Sequence, residues 1–401
     1  VALVLLAAGG ARAEVVRGQA DQAEPGRARA ARTDLGRSLA FLRHAQNGDG
    51  GFGAEPGLRS SELYSAWAAL GLAAAGYDPA RLERDGHSVL DAIRAQAGTL
   101  QGAGDLERTI LALRACGAPA RLPGLGSLVA RLLRYRSADG SFGDLVNITS
   151  FAVLALRAIG RPQGDPVVSG AAAWLAAQQG ANGGFGYARH GAPDVDDTAA
   201  AVQALAAAGA GDGGTIGHAI AFLLGAHNRD GGFPQQPGGE SNAQSTAWAV
   251  QALVVAHRDP AAGLRGAARS PIGYLQSLIA SDGSERYSRT VRQTPVWVTA
   301  QALTALAGKP LPIARPPDAS PGAPVSTRPT AGTAGGSLPA GKPSGSARAA
   351  ALRGSGSRKD AARRGLRSSA RLLTVAGRPQ LDALARAAGA ALGALLAPLE
   401  R

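Results

Sequence analysis

Residues 174–205 read WLAAQQGANGGFGYARHGAPDVDDTAAAVQAL, and they hold one complete copy of the unit from which the chain is built. The run Trp174 to Gln179 is helix-prone. Asn182-Gly183-Gly184-Phe185-Gly186 is a turn, since glycine reaches positive φ without steric cost and Asn tolerates the same region. Thr198 to Leu205 is an Ala-rich run, and alanine is the best helix former. The unit therefore reads as helix, glycine turn, helix.

The turn recurs outward from this copy. It stands earlier as Asp49-Gly50-Gly51-Phe52-Gly53 and Asp139-Gly140-Ser141-Phe142-Gly143, and later as Asp230-Gly231-Gly232-Phe233 and Asp282-Gly283-Ser284. The spacings are about 90, 43, 48 and 52 residues, so one degenerate copy fits between the first two, around Gln96 to Gly104. Six units of 40–50 residues are typical of stacked or closed helical arrays. Ten residues before the Phe stand Leu42, Leu175 and Leu223, and six before it Gln46, Gln179 and His227. Ser65, Thr149, Thr198 and Thr246 share a position near the start of the second helix, where a hydroxyl caps free N–H groups. Gly76, Gly117, Gly160 and Gly209 close these helices.

The Ala-rich helices have small side chains on every face, so they are expected to form an inner ring, with longer, more polar helices outside. The first and last units lack a capping character, which favours closure over an open solenoid. The fold class predicted is all-α, an α6/α6 toroid of six helix-turn-helix repeats over residues 33–309, followed by a disordered C-terminal tail.

The glycine-aromatic turns preceded by Gln, with Ser/Thr-led Ala-rich helices, resemble the prenyltransferase and squalene-cyclase repeat over about 280 residues. One departure is Phe where that repeat ends its turn in Trp. The resemblance implies the toroid and leaves the activity open, because terpene cyclases, prenyltransferase β subunits and cobalamin carriers share it.

Asp194-Val195-Asp196-Asp197-Thr198-Ala199 has the form of the DxDDTA motif of class II terpene cyclases. The resemblance implies that Asp196 is the acid that protonates an alkene or epoxide, with Asp194 and Asp197 beside it. Crowded carboxylates in a dry site hold a proton between them, and aromatic faces stabilise a carbocation. The competing reading is structural, with Asp197 and its neighbours placed at a helix start to satisfy free N–H groups. Cyclases of this kind place their site between two helical barrels, and this chain has one. The aromatics not used in turns, chiefly Tyr64, Trp67, Phe151, Trp248 and Trp297, are the candidate ligand-binding residues. His190, His227 and His257 are fixed by no motif. The zinc prenyltransferase pattern fails, since the sole cysteine, Cys116, is in no Asp-x-Cys sequence. No metal or cofactor is expected.

Charge is unevenly spread. Residues 311–401 carry +10 of the net +13, so the repeats themselves offer little for nucleic acid to bind. Residues 1–13, VALVLLAAGGARA, read as a signal peptide ending at Ala11-Arg12-Ala13, which implies a secreted or cell-envelope location. Residues 14–32 are then a spacer. Residues 310–357 are a Pro/Gly/Ser-rich linker, and 358–401 form a basic, Ala/Leu-rich tail able to touch an anionic membrane surface. The reading that results is an extracytoplasmic toroid binding an apolar, isoprenoid-like or small organic ligand, or an envelope protein, without catalysis. The alternative is a class II cyclase or mutase using Asp196.

Overall fold

The computed structural model describes residues 34–119, 123–211 and 213–317. The expected signal peptide, spacer and tail, and all but the first residues of the expected linker, lie outside them. Helix α1 covers 34–45. It is followed by α2 (Glu62–Ala74), α3 (Val89–Gln96), α4 (Ala103–Ala115), α5 (Pro123–Leu133) and α6 (Val146–Ala158). Then come α7 (Pro166–Ala176), α8 (Val195–Ala208), α9 (Gly213–Ala226), α10 (Ala243–Val255), α11 (Pro271–Gln276) and α12 (Pro295–Leu306). Two short hairpins, Glu83–Arg84 with His87–Ser88 and Phe233–Pro234 with Ser241–Asn242, are the paired strands among the described residues.

The even-numbered helices are the Ala-rich ones, and each packs on the next: α2 on α4, α4 on α6, α6 on α8, α8 on α10, α10 on α12 and α12 on α2. That cycle is the inner ring of an α6/α6 toroid. Helices α3, α5, α7, α9 and α11 each pack on the inner helix next to them, outside the ring. They are not the longer set that the sequence suggested: α3 has 8 residues and α11 only 6, against 12 to 14 in the inner helices. An outer helix covers one face of the ring, whereas an inner helix is packed on both sides and against the layer outside it.

The five glycine turns share one mechanism. The side-chain oxygen of Asp49, Asp139, Asn182, Asp230 or Asp282 accepts the N–H two residues on, at 2.9–3.1 Å. The aligned hydroxyl does not cap its own helix. Ser65, Thr149, Thr198, Thr246 and Thr299 instead accept the N–H of Phe52, Phe142, Phe185, Phe233 and Glu285, at 2.8–3.0 Å. Each bond locks a turn onto the inner helix that follows it. Gln179 donates to the carbonyls of Gly183 and Thr215, both at 2.8 Å, tying its turn to the next outer helix.

Two glycines close the ring. A Cβ on Gly283 would lie 2.4 Å from the carbonyl oxygen of Arg37 in α1, and a Cβ on Gly71 would lie 2.7 Å from that of Ala300 in α12. The last unit thus meets the first at backbone contact in both layers.

One boundary differs from expectation. The linker was expected from residue 310, yet Leu311 and Ile313 are buried against the toroid. They are two apolar residues among prolines, too few to register in a composition taken over 48 residues.

Candidate functional site

The six inner helices run in the same direction, so positions two before the shared Ser/Thr fall at one level of the ring. They are Leu63, Gly104, Asn147, Asp196, Gln244 and Trp297, and all six are half-buried. Together they make a rim at the turn end of the toroid. It carries one carboxylate, two amides and one indole.

Helix α8 places the acidic residues. Asp194 is its N-cap, with extended backbone (φ −135°, ψ 170°), and its Oδ1 accepts the N–H of Asp197 at 2.8 Å. Asp197 is fully buried on the side facing α6, where its Oδ1 accepts from Asn147 Nδ2 at 2.7 Å. Its Oδ2 is buried and has no hydrogen-bond partner among the described residues. Burial raises both the Asp194 and the Asp197 carboxyls, the charge of Asp197 raises Asp194 further, and Asp196 pushes Asp197 the same way. Beside Asp196, this pair therefore holds a proton more tightly than free carboxyls do. Such crowding follows from two carboxyls that share a desolvated corner with a third.

The next unit contains a neutral copy of this arrangement. Asn242 caps α10, accepts the N–H of Ser245 at 2.8 Å and occupies the place of Asp194. Gln244 stands where Asp196 does and donates to Gln301 at 2.5 Å. The structural task of Asp194 is thus one that an amide performs equally well, and its charge is surplus to the cap.

The five aromatic candidates form one connected group. Tyr64 meets Trp297 edge-on at 6.5 Å, Trp297 stacks on Trp67 at 6.4 Å, Trp67 meets Trp248 at 5.9 Å, and Trp248 meets Phe151 at 5.6 Å. Trp67, Phe151 and Trp248 lie one helical turn below the rim. Ala200, at their level on α8, is small enough for Phe151 and Trp248 to meet across it. Trp67 and Trp248 are only 6% and 8% exposed, so the rings close on one another and form a floor. Tyr64, Phe151 and Trp297 keep partial exposure, and the buried Nε1 of Trp297 has no acceptor among the described residues.

The structure separates His227 and His257 from this site, while His190 is a left-handed residue (φ 51°) of the turn that leads into α8. His227 is held by the carbonyls of Leu224 and Arg265, and His257 supplies the left-handed residue (φ 56°) after α10. Cys116 is buried after α4, where burial pushes its thiol up. Among the described residues no group of three or more His, Cys, Asp or Glu is arranged to hold a metal ion, and no helix is long and apolar enough to cross a membrane.

Several residues escaped the sequence reading. Asn147 was recoverable, because it aligns with Asp196. Arg108 of α4 pairs with Glu62 of α2 and with Asp105, and Thr109 donates to Glu62 at 2.7 Å. Glu107 is 1% exposed, neither of its oxygens has a hydrogen-bond partner among the described residues, and burial drives its carboxyl well above the usual range. No repeat signal marks these: Glu62, Glu107 and Thr109 replace small or apolar residues of the other units, and Arg108 stands where Trp67, Phe151, Ala200, Trp248 and Gln301 do.

The prenyltransferase alpha-alpha toroid domain matches residues 26–101 and 120–295, more than half of the chain. No curated protein matches the sequence. Among solved structures, the chain resembles the type II terpene cyclase MstE from Scytonema in its apo form. The identity is 17%, over 70% of this chain and 98% of that one, with a TM-score of 0.52. An arginine-to-alanine variant of MstE in complex with geranylgeranyl dihydroxybenzoate, its substrate, gives 17% identity over 70% and 97%, with a TM-score of 0.51. A glutamate-to-alanine glycosidase variant in complex with glucose gives 14% over 70% and 98%, with a TM-score of 0.50. At these identities the likeness is one of fold.

Proposed function

Given that the chain belongs to the prenyltransferase alpha-alpha toroid domain family, we propose that it binds an apolar or small organic ligand at the rim of the ring and does not convert it. The observation that carries this reading is the closed aromatic floor. A polyprenyl chain that folds for cyclisation needs an apolar chamber with aromatic faces free to meet the cation. Here the rings spend those faces and edges on each other, at 5.6–6.5 Å. What remains for a ligand is the half-buried rim itself. The exposed parts of Tyr64, Phe151 and Trp297 supply apolar contact, while Asp196, Asn147 and Gln244 supply polar partners.

A second reading has a specific observation in its favour. Asp196 is the middle carboxylate of its motif, flanked by two buried carboxyls that desolvation raises above the usual carboxylate range. Such a cluster keeps a proton available at a higher pH than free carboxyls would, as a general acid requires. MstE binds an isoprenoid-like substrate, which makes an isoprenoid the natural first probe. We further propose an extracytoplasmic location; its support is the sequence of residues 1–13.

The test is a titration of tryptophan fluorescence with farnesol. Three of the four tryptophans are in the aromatic group, so occupation of the rim should give a saturable change. Trp297→Ala should weaken it at least ~10-fold, the loss of roughly 1.4 kcal/mol of contact. A response that does not saturate, or that Trp297→Ala leaves unchanged, would contradict the assignment of the rim as the binding site.

A further inference from the structure

At the opposite end of the ring the chain itself crosses the inner helices. After α12, residues 309–315 leave the inner layer and run across the C-terminal halves of the inner helices. Gln251 Nε2 of α10 donates to the Lys309 carbonyl at 2.9 Å, and the Leu311 N–H donates to Gln203 Oε1 of α8 at 2.9 Å. Leu311 and Ile313 are 4% and 6% exposed. Arg315 then reaches the far side, where its Nε and Nη2 donate to Asp78 Oδ2 at 3.1 and 2.6 Å, beyond the end of α2. A Cβ on Gly117, after α4, would strike the Arg315 side chain.

The two glutamines are the telling feature. They share one position in the repeat, five residues after Thr198 and Thr246. Its other occupants are Leu70, Leu111, Leu154 and Thr304. Gln203 and Gln251 are 1% and 3% exposed. A buried amide among apolar neighbours is costly unless it is bonded. Each is bonded to a peptide group of the crossing segment, one to an N–H and one to a C=O two residues earlier. Main-chain bonding combined with burial of apolar side chains is a way in which a protein recognises a peptide segment. Prolines 310 and 312 have no N–H, so the segment pairs with no strand, and its hold depends on these few contacts.

We infer that the lower end of the ring is a second binding site, for a short apolar peptide segment, and that residues 309–315 occupy it in cis as a removable plug. The site is independent of the rim and of what Asp196 does. Its recognition elements are the Gln203 carbonyl, the Gln251 amide, the apolar surface that covers Leu311 and Ile313, and the Asp78 carboxylate for a trailing cation.

The test uses the full chain. In hydrogen–deuterium exchange, the Leu311 amide should be protected in the wild type. Gln203→Leu, which installs the residue of the first three units, should speed its exchange at least ~10-fold without exposing α8. Leu311→Asp with Ile313→Asp should expel the segment. A synthetic peptide with the sequence of residues 309–317 should then bind that double variant saturably, and should not bind the wild type. Adding Gln203→Leu and Gln251→Leu should abolish the binding. An unprotected Leu311 amide in the wild type, or exchange unaltered by Gln203→Leu, would overturn the inference. Failure of the peptide to bind a folded double variant would do the same. If the double variant does not fold, the exchange comparison decides alone.

Discussion

Replacing Gly71 by alanine is expected to lower the melting temperature of the toroid sharply, although the change adds a single methyl group. The methyl carbon would lie 2.7 Å from the carbonyl oxygen of Ala300 and 2.8 Å from its Cα. Both are backbone atoms in the middle of α12, so neither moves without displacing the helix. Overpacking of this kind costs about 1–3 kcal/mol, and the upper end applies where backbone must give way. The position matters as much as the clash. Gly71 stands at the seam where the sixth unit meets the first, and a parted seam leaves two units each packed on one side only. Gly36→Ala is the matched control, because a Cβ there meets nothing within 4 Å. It adds helix propensity to α1, worth roughly 1 kcal/mol, and should leave stability equal or higher. Equal melting temperatures for Gly71→Ala and Gly36→Ala would mean that the ring does not close through this contact.

The second large effect is a gain. Glu285 occupies the slot that Phe52, Phe142, Phe185 and Phe233 fill in the other turns, and it is fully buried. Its N–H is bonded to Thr299, but neither carboxyl oxygen has a hydrogen-bond partner among the described residues. Burial pushes this carboxyl well above the usual range, and the charge of Asp34 on α1 adds to the shift. An acid raised in this way is folded as its neutral form. The penalty is absent below the unfolded value near pH 4 and grows as the pH rises. Glu285→Leu removes the unsatisfied group at similar volume. It should stabilise the protein by about 1–3 kcal/mol at pH 7, the cost of a buried unpaired polar group. The gain should be smaller near pH 4, where the ionisation penalty is gone and only the cost of burying the neutral, unpaired carboxyl remains. Parallel pH–stability curves for wild type and variant would show that Glu285 has a partner after all.

The sequence carried most of the fold because the repeat is written in residues whose roles are backbone roles. Asp-Gly-Gly-Phe is legible since only such residues make that turn, and the Ala-rich helices announce close packing. Closure through Gly71 and Gly283 was not legible at the level of residues, since a glycine in a helix and a glycine in a turn look alike before their neighbours are known. The hydroxyls were assigned to the wrong N–H group for a related reason: capping is the local solution, and the turn lies 7 to 14 residues away in the chain. Of the site, the Asp run and the five aromatics were visible. That the aromatics close on one another was not, because it depends on Ala200 being small between two aromatic neighbours. Glu285 and Glu107 were invisible because each breaks the pattern by which the chain was read.

The central claim is that the rim binds without turnover, and product analysis tests it most directly. Purified full-length protein would be incubated with squalene and with geranylgeraniol, and the extract examined by gas chromatography and mass spectrometry. The account predicts that both are recovered unchanged, with Asp196→Asn indistinguishable from the wild type. A cyclised product formed by the wild type, and lost in Asp196→Asn at an unchanged melting temperature, would contradict it and make Asp196 the catalytic acid.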